Sequence, residues 1–169
     1  MLVLETERLT LRRLSADDAE FMLRLLNEPS YLRYIGDRGV RTVEDARRHI
    51  LEGPVASYER HGFGLYLVEL KEGRVPIGIS GLVKRPALAD VDVGFAFLPA
   101  YWSKGYAVES AAAVVTYARE VLGLRRLVAI TSPDNEASAK LLGKLGLRFE
   151  RMLSWPGDGS EVRLFASDA

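Results

Sequence analysis

A chain of 169 residues is long enough to bury one hydrophobic core and fits a single domain spanning 1–169. Lysine plus arginine and aspartate plus glutamate number 23 each. The formal net charge is therefore zero, which points to no nucleic-acid or membrane partner and is compatible with a homodimer. The absence of cysteine excludes disulfides, thiolate metal ligands and a cysteine nucleophile.

The opening residues, Met1 to Glu7, show no basic segment followed by an apolar run, so a cytoplasmic protein without signal peptide or membrane span is expected. Arg8 to Arg12 alternate polar and apolar, as a half-buried strand does. Ser15 reads as a helix N-cap with Asp17 and Asp18 in the first turn. Ala19, Met22 and Leu26 then share an apolar face that Phe21 and Leu25 widen, and Pro29 follows the helix end. Tyr31 to Val40 reads as a loop or broken helix. Thr42 caps a second helix through Ile50, with Gly53-Pro54 expected to stop it and Val55 to Arg60 adding a further turn. Phe63 to Leu70 and Val75 to Val83 read as a hairpin about the turn Lys71-Glu72-Gly73.

Val91 to Leu98 is short, apolar and aromatic, as a buried strand is. Ala111, Val114, Val115, Ala118 and Val121 recur at helical spacing, and Gly123 suits the residue after the helix. Between them, Ser103, Lys104 and Gly105 lie where the helix begins. A helix N-terminus offers unpaired N–H groups and the positive end of the dipole, and Gly105 removes the Cβ that would hold a phosphate off the backbone. Leu127 to Thr131 follows as a strand, which implies a parallel pair and a right-handed crossover. Asp134 or Asn135 caps a last helix with Ala139, Leu142 and Leu145 on one face, ended by Gly146. Strands around Leu147–Ser154 and Glu161–Ala166 close the chain. The fold class is α+β: a mostly antiparallel sheet splayed at a central parallel pair, with helices on both faces. Ligands enter open sheets where strands diverge in this way.

The sequence resembles the GNAT superfamily of acyl-CoA-dependent N-acetyltransferases. Trp102-Ser103-Lys104-Gly105-Tyr106-Ala107 fits the family's pyrophosphate loop, with Trp in its first position. That departure, the opening Glu5-Thr6-Glu7-Arg8-Leu9 and the segment Ser132-Pro133-Asp134-Asn135-Glu136-Ala137-Ser138 are similar to the Rim-type branch, which includes ribosomal-protein N-terminal acetyltransferases. The resemblance implies that acetyl-CoA is the co-substrate, its pyrophosphate on the amides of Trp102, Ser103, Lys104, Gly105, Tyr106 and Ala107. It implies too that the pantetheine arm pairs with Phe95, Ala96 and Phe97. The acceptor is an amine, and no metal is expected. His49 and His61 show no spacing to a second ligand.

Acetyl transfer needs a neutral amine, a polarised thioester carbonyl and a protonated leaving thiolate. Backbone N–H groups near Phe97 can polarise the carbonyl. Asp92 is the lead candidate for the base, or alternatively a strand-end residue or an anchor for the amine. Rim-type relatives can carry a glutamate base before the last strand. The corresponding place here falls near Gly157, with Asp158 and Glu161 close but unmatched, so the base is open. The resemblance puts Ser138 near the cofactor sulfur, as a proton donor to the thiolate or as a simple first-turn residue. Asn135 touches the pantetheine arm, bridges the strands or only caps its helix. Tyr31, Tyr34 and Trp155 line an acceptor groove or pack in the core. Glu44, Arg47, Arg48 and Glu52 read as a solvated helix face. The competing function is a non-catalytic acyl-CoA-binding sensor. A nucleotide phosphotransferase is a poor third reading, since no Gly-x-x-x-x-Gly-Lys-Ser/Thr occurs and Lys104 precedes its Gly.

Overall fold

Eight strands make up one sheet: β1 (Leu2–Glu5), β2 (Leu9–Arg13), β3 (Leu65–Leu70), β4 (Pro76–Val83), β5 (Val91–Phe97), β6 (Leu127–Thr131), β7 (Arg148–Ser154) and β8 (Glu161–Ala166). In the computed structural model, which describes residues 1–167, their order is β1-β2-β3-β4-β5-β6-β8-β7. All neighbouring pairs are antiparallel except β5 and β6. The parallel pair shares only two register positions, Val91 with Leu127 and Asp92 with Val128. Beyond them β6 pairs with β8 and β5 with β4, so the sheet splits into two arms.

Helices α1 (Ala19–Leu26), α2 (Pro29–Tyr34), α3 (Val43–Ile50) and α4 (Ala56–His61) precede β3; α5 (Tyr106–Glu120) joins β5 to β6, and α6 (Glu136–Lys144) follows β6. The apolar faces of α1 and α3, with Met22, Leu25, Leu26, Ala46 and Ile50, pack on Leu67, Ile79 and Leu98. On the opposite face Val114, Val115 and Ala118 of α5 meet Tyr66, Val68, Val91 and Val93. Each such buried aliphatic side chain contributes about 1.5–3 kcal/mol. The caps form as the sequence predicts. Ser15 and Asp18 make a reciprocal capping box, the Thr42 hydroxyl accepts from the Asp45 amide at 3.0 Å, and Asn135 caps α6. No described helix is long and apolar enough to cross a membrane.

One expectation needs correction, and two elements are more defined than expected. Gly53-Pro54 does not end the second helix. Leu51–Val55 widens into a π-helical turn and continues into α4. The wider turn accommodates a ring that would clash with the carbonyl four residues back, and Pro54 is buried there. The stretch from Tyr31, read as a loop or broken helix, starts within the short α2 and continues as loop, with Pro29 at a first-turn position where its missing N–H costs nothing. The N-terminal segment adds β1, whose four residues pair with β2 across a register shift.

Tyr58 ties helices to sheet. Its hydroxyl donates to the Leu65 carbonyl and accepts from the Leu14 amide, and its ring stacks on Tyr66 at 5.6 Å. Tyr58→Phe leaves both backbone groups buried without that partner. It is expected to lower unfolding free energy by about 1–3 kcal/mol, read by urea denaturation; unchanged stability contradicts this role.

Candidate active site

The split sheet leaves one edge of β5 bare. Leu98 donates its amide to Ile77 at 3.0 Å, which fixes the alternation along the strand. Ala96 and Gly94 therefore turn their backbone groups towards β4. Phe95 and Phe97 turn theirs to the side that β6 has left. The Phe97 carbonyl accepts from the Trp102 indole N–H at 2.9 Å. The Phe95 side chain packs against clusters on both arms, one around α5 and one around Ala129 and Leu142.

At the end of this strand the chain makes a 3-10 turn, Pro99–Tyr101, and then the loop into α5. The Trp102 amide is used within that turn, donating to the Pro99 carbonyl at 3.1 Å. From Ser103 onwards the situation changes. No described residue accepts a hydrogen bond from the amides of Ser103, Lys104, Gly105, Tyr106 or Ala107. Ser103 and Gly105 both adopt positive φ, 62° and 85°. For serine that conformation is strained, and such strain gathers at ligand sites. Gly105 caps the 15-residue α5 without a side-chain bond, so the dipole and free donors face solvent.

This cradle is held from far away in sequence. Arg8 donates through Nη1 to the Lys104 carbonyl at 3.1 Å and through Nε to Glu109 at 2.7 Å, and lies 4.4 Å from the Tyr106 ring centroid. Glu109 also accepts from the Arg8 amide at 3.0 Å and the Thr6 hydroxyl at 2.5 Å. Burial pushes the Glu109 carboxyl up. The bonds from Thr6 and Arg8 outweigh burial and hold it below the usual range. The β1–β2 hairpin is thus latched onto the first turn of α5. The motif containing Arg8 was visible in the sequence, but its partner 101 residues away was not.

The other lip of the cleft is the loop between β6 and α6. The Asn135 side chain accepts from the Ser138 amide at 3.2 Å, which realises the capping role, and Ser138 stands half-buried in the first turn. Arg163 on β8 binds Thr131 Oγ1 at 3.3 Å, the Ser132 carbonyl at 3.4 Å, the Asn135 carbonyl at 3.1 Å and Glu136 at 3.2 Å. Sequence reasoning missed Arg163, which carries no local motif.

Asp92 lies at the closed end of the split, on the last paired position of β5. It is 1% exposed, and Arg85 Nε reaches its Oδ2 at 2.7 Å. Burial pushes its carboxyl up to about 6 against the opposing charge and hydrogen bond of Arg85. The alternative carboxylates stand elsewhere. Asp158 is exposed and accepts from the Ser160 amide and hydroxyl within its own turn, and Glu161 is exposed at the start of β8. Tyr31 is a core residue, Tyr34 is half-buried beside Arg33, and Trp155 is half-buried beside Arg85. Glu44, Arg47, Arg48 and Glu52 are exposed, as a solvated face requires.

A free strand edge thus runs into a cradle of unpaired amides, within a sheet split at one parallel pair. The chain belongs to the acetyltransferase (GNAT) domain family, whose pattern matches residues 8–148, and it is an N-acetyltransferase. It is 33% identical over 153 residues to the uncharacterized N-acetyltransferase YoaA of Bacillus subtilis (strain 168), covering 89% of this chain and 85% of that one. Its fold matches the acetyltransferase of Agrobacterium tumefaciens str. C58 with a TM-score of 0.82 and 26% identity, over 98% of this chain and 94% of that chain. It also matches RimL, the ribosomal L7/L12 alpha-N-protein acetyltransferase in complex with coenzyme A. There the TM-score is 0.81 at 19% identity, over 98% of this chain and 97% of that one.

Gly105→Glu brings bulk and negative charge to the cradle and is expected to abolish coenzyme A binding in a folded variant, read by calorimetry. Arg8→Ala loosens the latch and is expected to weaken that binding about threefold to tenfold. Unchanged affinity in both variants removes the loop from the site.

Proposed function

We propose that this N-acetyltransferase transfers an acetyl group from acetyl-CoA to a primary amine, a protein N-terminus or a small-molecule amine. Attack is direct, within a ternary complex, and the chain stands with the Rim-type branch as one acetyltransferase domain over residues 1–169. The observation that carries this reading is the bare edge of β5 leading into five amides that no described residue accepts from. An extended chain ending in a diphosphate matches both features. A fold shared with a protein named for acetylating an α-amine supports an amine acceptor.

Acetyl-CoA supplies the thioester, an acyl group activated toward amines. Ser103 to Ala107 bind its diphosphate, and Phe95 and Phe97 offer backbone groups to its arm. Trp102 supports this through its indole, since its amide is already used. The Phe95 N–H, turned into the cleft and nearer to Asp92 than that of Phe97, polarises the carbonyl oxygen. Asp92 removes the proton from the attacking ammonium, directly or through water. As the C–N bond forms and the C–S bond breaks, the nitrogen sheds its second proton and the thiolate gains one, Ser138 giving its hydroxyl proton to the sulfur and regaining one from the nitrogen through water. Holding both substrates in one split accounts for much of the rate.

A base must be ionised to act, so kcat is expected to fall on the acid side with an apparent pKa near 6, the value that burial gives Asp92. Arg85→Gln removes the cation that opposes burial and moves this limb to higher pH. Asp92→Asn is expected to lower kcat by at least about 100-fold while leaving coenzyme A affinity unchanged. The linkage has a definite sign. A carboxyl raised from 3.8 to about 6 on folding contributes stability below pH 4 that is lost as pH rises through 6. Asp92→Asn therefore keeps its stability at pH 7. A wild-type pH profile in the variant rules Asp92 out as the base. The reading as a whole is tested by thiol release from acetyl-CoA with peptides, polyamines and aminoglycosides. Turnover on at least one amine is expected, whereas tight coenzyme binding with none turned over identifies a sensor instead.

A further inference from the structure

The free edge of β5 is capped at its cradle end by the chain's own side chain. Phe97 turns its carbonyl to the side that β6 has left, and the Trp102 indole N–H already occupies that oxygen at 2.9 Å. A neighbouring strand would bring its own N–H to the same oxygen at the same separation. The indole stands in for a ladder partner that the sheet does not supply there.

Little else holds the ring in place. Trp102 is 47% exposed, and it joins none of the buried apolar clusters of the described residues. No described aromatic ring or cation stacks on it. Its backbone is fixed independently of its side chain, since the amide donates to the Pro99 carbonyl at 3.1 Å and closes the 3-10 turn. The indole can therefore leave Phe97 by rotating about its own side-chain torsions, with the turn and the cradle unmoved. The cost is one hydrogen bond from a half-exposed donor, which water replaces.

We propose that Trp102 is a displaceable cap on the cofactor track. Its indole holds the Phe97 carbonyl turned outward in the free protein, yields it to the arm of the cofactor, and takes it back as coenzyme A leaves. This rests on the acetyl-CoA reading above. The arm carries amide groups, and laid along β5 it gives an N–H to the Phe97 carbonyl and takes one from the Phe97 amide. Arm and indole then compete for one oxygen from one side. The second lone pair of that oxygen does not relieve the conflict, because ring and arm would fill the same space in front of the strand. Binding that must displace a group supplied by the protein itself is weaker by the value of that group. The departing arm in turn leaves no bare carbonyl behind, so the cap speeds release. Product release limits many transferring enzymes, and a donor that restores itself suits that step.

The test follows the indole itself. The chain has two tryptophans, and Trp155→Phe leaves the indole N–H signal of Trp102 alone in an NMR spectrum, which assigns it. In the unaltered protein, coenzyme A at a concentration that calorimetry shows to be saturating is expected to speed solvent exchange of the Trp102 indole N–H by at least about threefold. A Trp102 indole as protected with coenzyme A as without it overturns the cap. Trp102→Phe is expected to bind coenzyme A about 2- to 10-fold more tightly, through slower dissociation in stopped-flow displacement. Weaker or unchanged binding by the folded variant overturns the cap and makes the indole a structural group or a lasting contact of the bound arm. The exchange measurement needs no change at Trp102, so it decides the question even where that variant does not fold. Calorimetry that detects no coenzyme A binding to the unaltered protein overturns the acetyl-CoA reading, and the cap with it.

Discussion

The early parting of β5 and β6 governs this molecule. Two paired residues hold the arms together, and past Asp92 each strand keeps a partner on one side only. Buried backbone N–H and C=O groups are costly unless something answers them. A strand edge left bare in the middle of a sheet is therefore a place built for a ligand with its own donors and acceptors. The Phe95 side chain, packed against the clusters of both arms, is well placed to keep them apart.

Each lip of the split is fixed by an arginine from a remote strand. Arg8 on the approach to β2 grips the loop before α5, and Arg163 on β8 grips the loop before α6. Both bind main-chain carbonyls, so they set loop shape without consuming the amides that point into the cleft. The arrangement also answers the strain at Ser103. A serine at positive φ persists only where its surroundings over-determine it, and the Arg8 latch at the neighbouring carbonyl supplies that constraint. The closed end has a third arginine, Arg85, which keeps the buried Asp92 from being pushed up further still.

Most of the framework was legible because it is local. Alternation marked β2, the turn Lys71-Glu72-Gly73 marked the β3–β4 hairpin, the apolar run marked β5, and Gly123 and Gly146 marked helix ends. The anion cradle was legible for the same reason, since a helix start with Gly105 is a local signal. The misreading came at a helix-breaking signal. Pro54 sits buried inside a widened turn, which spares its ring the clash that would stop a regular helix. What the sequence concealed was non-local. Neither the Arg8–Glu109 latch nor the Arg85–Asp92 pair can be read from spacing, because side chains find such partners only once the sheet has formed. Trp102 shows the limit at a single residue: its position was legible, but that its amide was spent and its indole bound to Phe97 was not.

The central claim is that the free backbone of β5 and the amides before α5 form one continuous binding track. Amide hydrogen exchange, with and without coenzyme A, tests it residue by residue. The account predicts slowed exchange at Phe95, Phe97 and Ser103 to Ala107, with β1 and β7 unchanged. Saturating coenzyme A that protects none of these amides, or protects only the outer strands, contradicts it.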